Sequence, residues 1–279
     1  MQVDRQKAFR AFKYTVYTLL VINVYLFFAE EWAAAPHRFV DGVGLADVIE
    51  GFAASIDTAA WVVLLLMFEL ETDTLEDEQF TPRMTFSLHA LRAICYAVII
   101  FAFYGYLTKL LYLLGAAPAT GIDSLCALGD GNWAFAIDLD EYTIINANNC
   151  HSLSSANAFI QLTDSKALVD QAGYTDIVRL AWVDVINAAV WLLVVLILEI
   201  DVRLQERNML AGTALLISNV SKYVLYTILL LAAVYWGIKG DFVDFWDAFL
   251  WLLAFVAIEL NVFEWRRESL TAQGVTAPQ

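Results

Sequence analysis

Three glutamates occupy the same place in three similar stretches. Asp57 to Glu71, Asn187 to Asp201 and Asp247 to Asn261 each open on Asp or Asn and carry Trp four residues later (Trp61, Trp191, Trp251). Glu follows each Trp by eight residues (Glu69, Glu199, Glu259), and Glu71, Asp201 and Asn261 follow two further on. A carboxylate in an apolar run is costly and faces a partner or water. Two chemistries follow. In the first, each Glu pairs with a base on the preceding helix: Lys13 with Glu69, Arg92 with Glu199, Lys222 with Glu259. In the second, the three carboxylates ring the inner mouth of a cation or proton path. Asp57, Asn187 and Asp247 are then read either as helix caps or as a matching outer ring, about 18 Å away at ~1.5 Å per residue. Trp61, Trp191 and Trp251 read as an aromatic anchoring layer, with a hydrophobic gate as the functional alternative. Glu71, Asp201 and Asn261 lie about 200° further round the helix and read as surface positions.

The cysteines are the other reactive groups. Cys95 falls in an apolar run and reads as an inert core residue. Cys126 and Cys150 lie in a polar segment, where an oxidising compartment allows a disulfide. His151 adjoins Cys150, but no fourth ligand stands at a recognisable metal-site spacing, so no metal is expected. Asp130, Asn132, Asp138, Asp140 and Glu141 offer oxygens without the spacing of a calcium loop and read as a solvated turn. The sequence contains no P-loop, no Gly-rich dinucleotide motif and no His-Glu-x-x-His zinc motif, so no cofactor is expected and an enzyme is not expected.

The elements that must hold these groups are long apolar helices. The chain has 279 residues, 60% of them hydrophobic, with mean hydropathy +0.62. Six runs approach the ~20 residues that cross a bilayer as helix: Tyr14–Ala35, Phe52–Phe68, Leu88–Ala116, Leu180–Leu198, Thr213–Ile238 and Phe242–Ile258. A net charge of −15 with no basic stripe argues against nucleic acid as a partner. Lys and Arg cluster near one set of helix ends, eleven against five, which places both termini in the cytoplasm. The basic start and apolar run before Ala33-Ala34-Ala35 look like a secretory leader, but this run belongs to the repeat and reads as a retained helix.

A base followed by Tyr four residues later (Lys13/Tyr17, Arg92/Tyr96, Lys222/Tyr226) precedes each Glu stretch, so the unit reads as a two-helix hairpin. The expected fold is an all-α polytopic membrane protein of six spans, as three hairpins related by a pseudo-threefold axis. Its parts are 1–78, 79–208 with an outer cap at 117–179, 209–267, and a tail at 268–279. Within the cap, Trp133–Ile137 and Tyr142–Ile145 read as a β-hairpin, and Ser152–Leu162 and Asp164–Ala172 as short helices. Segment 36–51 reads as a loop with an amphipathic piece resting on the membrane. The expected setting is a bacterial inner membrane, with lipids as partners. The expected function is cation or proton transport by a channel or transporter. The alternative is a non-enzymatic scaffold or accessory subunit whose polar triads are structural ion pairs and whose outer cap binds a protein partner.

Overall fold

The structure is a computed structural model. It describes residues 2–39, 44–71, 81–128, 131–163, 165–207 and 212–255. In chain order these form α1 (Gln2–Arg38), α2 (Leu45–Gly51), α3 (Ala53–Glu69), α4 (Pro82–Leu114), β1 (Ala117–Pro118), a 3-10 turn (Leu125–Leu128), β2 (Ala134–Ala136) and β3 (Tyr142–Ile144). There follow α5 (Cys150–Leu153), β4 (Phe159–Gln161), β5 (Ala167–Asp170), α6 (Gln171–Glu206) and α7 (Thr213–Lys239). Residues 242–255 are helical and are called α8.

The chain divides into two compact units, Met1–Asn23 with Leu229–Gln279, and Val24–Ile228. In the first unit Leu20, Trp236, Leu250, Trp251 and Ala254 are buried. Asn23 is fully buried and donates from Nδ2 to Asp247 Oδ1 at 3.0 Å. Gly240, at φ 88°, ends α7 by giving its N–H to the Trp236 carbonyl at 3.0 Å. This is the left-handed helix stop that glycine favours.

In the second unit α4 packs against α2, α3 and α6. Gly105 of α4 lies directly under the Ile49 carbonyl, where an added Cβ would strike backbone. Helix starts are capped from outside. Thr81 Oγ1 accepts from Met84 N, with Pro82 in the first turn of α4. Asp170, the last residue of β5, accepts the Gly173 N–H at 2.9 Å at the start of α6 and a bond from Ser154 Oγ at 2.7 Å. Helix α3 has no side-chain cap of its own. Glu31 of α1 supplies one, accepting from Ala54 N at 2.8 Å and from the N and Oγ of Ser55 at 3.2 and 2.5 Å. These bonds satisfy the free N–H groups that every helix start leaves.

Between α4 and α6 stands an open five-stranded sheet in the order β1-β4-β5-β2-β3. Only β2 and β5 run parallel. Its strands draw on Phe, Tyr, Thr, Ile and Val, which suit a pleated half-buried surface. Leu125, Phe135, Ile145, Phe159, Leu168 and Cys150 form its core. The Ile144 carbonyl on the edge strand β3 is covered by Asn149 Nδ2 at 2.8 Å and Asn146 Nδ2 at 3.4 Å, which blunts that edge against strand pairing.

This corrects the expected architecture. The fold is not all-α, because a mixed sheet fills the segment read as a cap. The hairpin at 133–145 forms, but Phe159–Gln161 and Ala167–Asp170 are strands where short helices are expected. Strand neighbours override local helix preference there, because β5 pairs on both sides. Among the described residues four helices, not six, are long and apolar enough to cross a membrane: Lys7–Arg38, Pro82–Leu114, Gln171–Asp201 and Thr213–Lys239. The internal repeat and the pseudo-threefold axis fail with it. Of the helices carrying the first two Glu stretches, α3 has 17 residues and α6 has 36, and the packing around them is not repetitive.

Candidate metal centre

The sheet unit brings together the groups most able to do chemistry. Cys126 lies in the 3-10 turn, which Ser124 organises by accepting the Ala127 N–H on its carbonyl and the Cys126 N–H on its Oγ. Cys150 opens α5. The turn leading to it from β3 is fixed by Asn149 Oδ1 accepting from Asn146 N at 2.8 Å, Asn146 Oδ1 from Asn148 N at 2.9 Å, and the Asn146 carbonyl from Cys150 N at 3.0 Å. Asn side chains favour such turns because they substitute for backbone acceptors. The two turns place the cysteine Cα atoms 5.0 Å apart, joined by a disulfide, at a spacing this bond requires.

His151 completes the group. The two sulfurs and a ring nitrogen of His151 all lie within 4.8 Å of one another. Cys150 is buried, Cys126 half-buried and His151 exposed. Thiolate, not disulfide, sulfur ligates metal, so the dithiol is the metal-competent form. Two thiolates and an imidazole suit a thiophilic ion such as Zn²⁺ or Cu⁺, and three protein ligands leave a coordination position open, as catalytic zinc sites do. This overturns the expectation that the chain is not an enzyme: the cluster is capable of coordinating a metal ion, consistent with a latent catalytic or metal-binding site. The adjacency of Cys150 and His151 carried that signal. The Cys126–Cys150 pairing was legible too; the metal was set aside for want of a fourth ligand, which a site with an open position does not need.

A second polar cluster fixes the β2–β3 turn to the helix ends. Asp138 Oδ1 accepts from the N–H groups of Asp140 and Glu141 at 3.0 and 2.7 Å, so 138–141 is a built turn; Asp130 lies outside the described residues. The Asp140 carboxylate takes both its oxygens to Lys109 Nζ at 2.8 Å. Arg38 pairs with Glu50 at 3.1 Å, and the His37 and Tyr142 rings stack at 5.6 Å. Burial pushes the Tyr142 phenol far above its usual range, opposed by the nearby Arg38 and reinforced by Asp140. Thr163 Oγ1 and Tyr174 OH donate to the Tyr112 and Leu113 carbonyls at 3.0 and 2.9 Å, closing the end of α4.

The groups singled out in the repeated stretches do not share one environment. Glu69 is buried, whereas the Glu199 side chain is 51% exposed and pairs with Arg203 at 3.3 Å on its own helix. Glu259 lies outside the described residues, and with it the pairing with Lys222. Two of the bases meet other partners. Arg92 meets Glu71 at 2.6 Å, and Lys222 meets Asp201 at 2.8 Å, with Ser218 Oγ on the same carboxylate oxygen. Asp201 is therefore a buried ion-pair member, not a surface position. Lys13 is buried. Asp57 and Asn187 sit inside α3 and α6, and Asp247 inside α8, because each helix begins earlier than expected; none is a helix cap. The Trp61 and Trp191 rings lie 5.9 Å apart, while Trp251 packs on Phe255 at 6.4 Å.

The expectation of transport, and of a non-enzymatic scaffold as its alternative, is overturned with these findings. A mixed α/β region with a disulfide, a Cys/Cys/His cluster, buried salt bridges and aromatic clusters stands where a ring of equivalent carboxylates was required. Comparison with family models, with curated proteins and with solved structures finds no match.

Proposed function

We propose that this chain is a membrane-held metal-binding module under thiol–disulfide control. In the dithiol state Cys126, Cys150 and His151 bind a thiophilic metal ion with an open coordination position; in the disulfide state they do not. The observation that supports this most directly is the convergence of three ligand atoms within 4.8 Å, with the imidazole on the exposed side. Binding such an ion takes deprotonated thiols, so the oxidation state of one bond sets metal affinity.

The apolar helices hold this unit at a lipid bilayer. Leu111, Ile217, Tyr223, Leu231 and Ile238 are large apolar residues left exposed on helices of spanning length, and lipid is the environment in which such a surface is stable. The Cys126–Cys150 bond favours a sheet unit on the outer face of that bilayer, in a compartment where disulfides form.

Cobalt titration of the full chain in detergent tests the reading. After reduction with a phosphine, Co²⁺ gives a thiolate-to-cobalt charge-transfer band that Zn²⁺ abolishes by displacement. The band is lost in Cys126→Ser and Cys150→Ser and weakened in His151→Ala, and the oxidised chain never shows it. A reduced wild-type chain that gives no band refutes the function.

A further inference from the structure

We infer that an external thiol opens this site by attacking Cys126, with Cys150 leaving as the buried thiolate. The chemistry after opening rests on the metal-binding reading above; the order of attack does not. Thiol–disulfide exchange needs the incoming sulfur to reach the sulfur it attacks, and access is one of the terms that sets its rate. The two sulfurs differ in access. Cys150 is 5% exposed and belongs to the sheet core with Leu125, Phe135, Ile145, Phe159 and Leu168. Cys126 only packs against that core from outside and is half-buried. A reductant meets Cys126 first.

The co-reactant is a dithiol. Its first thiolate forms a bond to Cys126 Sγ as the Sγ–Sγ bond breaks, and the electron pair goes to Cys150 Sγ. The second thiolate of the reductant attacks its own sulfur in the mixed disulfide, closing a reductant disulfide and releasing Cys126 as thiolate. Two electrons pass from the dithiol to the protein, and the two thiols' protons go to solvent. The Cys150 thiolate is left beside His151 on α5, and Cys126, freed from the reductant last, would complete the ligand set. The assigned roles are thus unequal: Cys126 exchanges with the partner, and Cys150 does not.

Glutathione, a monothiol, reads the first step on the oxidised full chain in detergent, without metal. Brief exposure followed by acid quench, alkylation and peptide mass mapping is expected to place glutathione on Cys126 and the alkyl group on Cys150, in about tenfold excess over the reverse. Equal labelling, or glutathione mainly on Cys150, overturns the assignment, as does a disulfide that no thiol opens under folded conditions. A second measurement compares single variants against an aromatic disulfide reagent. Cys126, left free in Cys150→Ser, is expected to react about tenfold faster than Cys150 left free in Cys126→Ser; equal rates overturn it. Cobalt binding by the reduced chain is scored separately, so an absent charge-transfer band sinks the metal reading alone, and a wrong labelling order sinks this inference alone.

Discussion

Reducing the Cys126–Cys150 bond releases a defined constraint, and its size follows from the chain. The bond closes a loop of sequence separation 24. The loop-entropy relation gives about 3.5 kcal/mol for such a loop at room temperature. That loop contains β2 and β3, two of the five strands, and its ends carry Leu125 and Cys150 of the sheet core. Reduction therefore lowers the opening free energy of this region by about 3.5 kcal/mol, which is a few hundred-fold in hydrogen-exchange protection.

A metal held by the same two sulfurs closes the same loop again. At a free concentration a hundred times its dissociation constant it returns about 2.7 kcal/mol by mass action. The assay is hydrogen exchange by mass spectrometry on the full chain in detergent, in oxidised, reduced, and reduced plus Zn²⁺ states. Protection at 134–145 and 159–170 is expected to fall on reduction and to recover most of the way with Zn²⁺, while α7 stays unchanged. Unaltered protection at 134–145 on reduction refutes the loop argument. A fall that Zn²⁺ does not reverse refutes the ligand assignment.

Other perturbations test the positions around the site. Gly105→Ala drives a Cβ into the Ile49 carbonyl and against Ala53; a cost of about 1–3 kcal/mol is expected, read as increased exchange in α2. Glu31→Ala leaves the Ala54 and Ser55 donors at the start of α3 without their acceptor; about 2 kcal/mol is expected, with Glu31→Gln milder because an amide oxygen still accepts, both measured by thermal unfolding in detergent. Asp140→Ala strands a buried Lys109 whose side chain is 9% exposed. The cost is expected at about 2–3 kcal/mol, below the ~3–5 of a fully buried pair because Asp140 itself touches solvent. Lys109→Met in the same background should restore part of it, and a double-mutant cycle without coupling would refute that pairing.

The sequence carried the parts that local chemistry determines. The apolar helices, the β2–β3 hairpin and the breaks around them follow from periodicity and turn residues. Partner choice was not legible. Arg92 and Lys222 each reach a carboxylate 21 residues away in sequence, on the preceding helix, and it is Glu71 or Asp201 that they meet. Spacing paired each base with the Glu of the following helix, Arg92 with Glu199 and Lys222 with Glu259. Spacing along one helix sets which face a base occupies, not which neighbouring helix stands against that face. Helix starts were misplaced for a related reason. Asp57 and Asn187 carry capping chemistry, but Glu31 and Asp170 do the capping, and Glu31 reaches α3 from a residue 23 positions away.

The sheet links a helix long and apolar enough to cross a membrane to the Cys126/Cys150/His151 cluster. Asp170 ends β5 and caps α6 in the same residue, so the strand passes into the helix without a loop. Its other oxygen takes the Ser154 hydroxyl at 2.7 Å, one residue beyond the end of α5, which carries Cys150 and His151. The ligand-bearing turn is thus tied by one carboxylate to the start of a membrane-length helix, while Lys109 ties the β2–β3 turn to α4. Held at both points, the sheet keeps Cys150 in its core, while Cys126 packs against that core from its edge beside the buried Leu125. Opening the bond is expected to move Cys126 more than Cys150, which the core holds. Asp170→Asn tests that division, because the amide oxygen still caps α6 while its Nδ2 cannot accept the Ser154 hydroxyl. Cobalt affinity is expected to fall severalfold, with the helix content by circular dichroism unchanged. An unchanged affinity would show that α5 is positioned without Asp170.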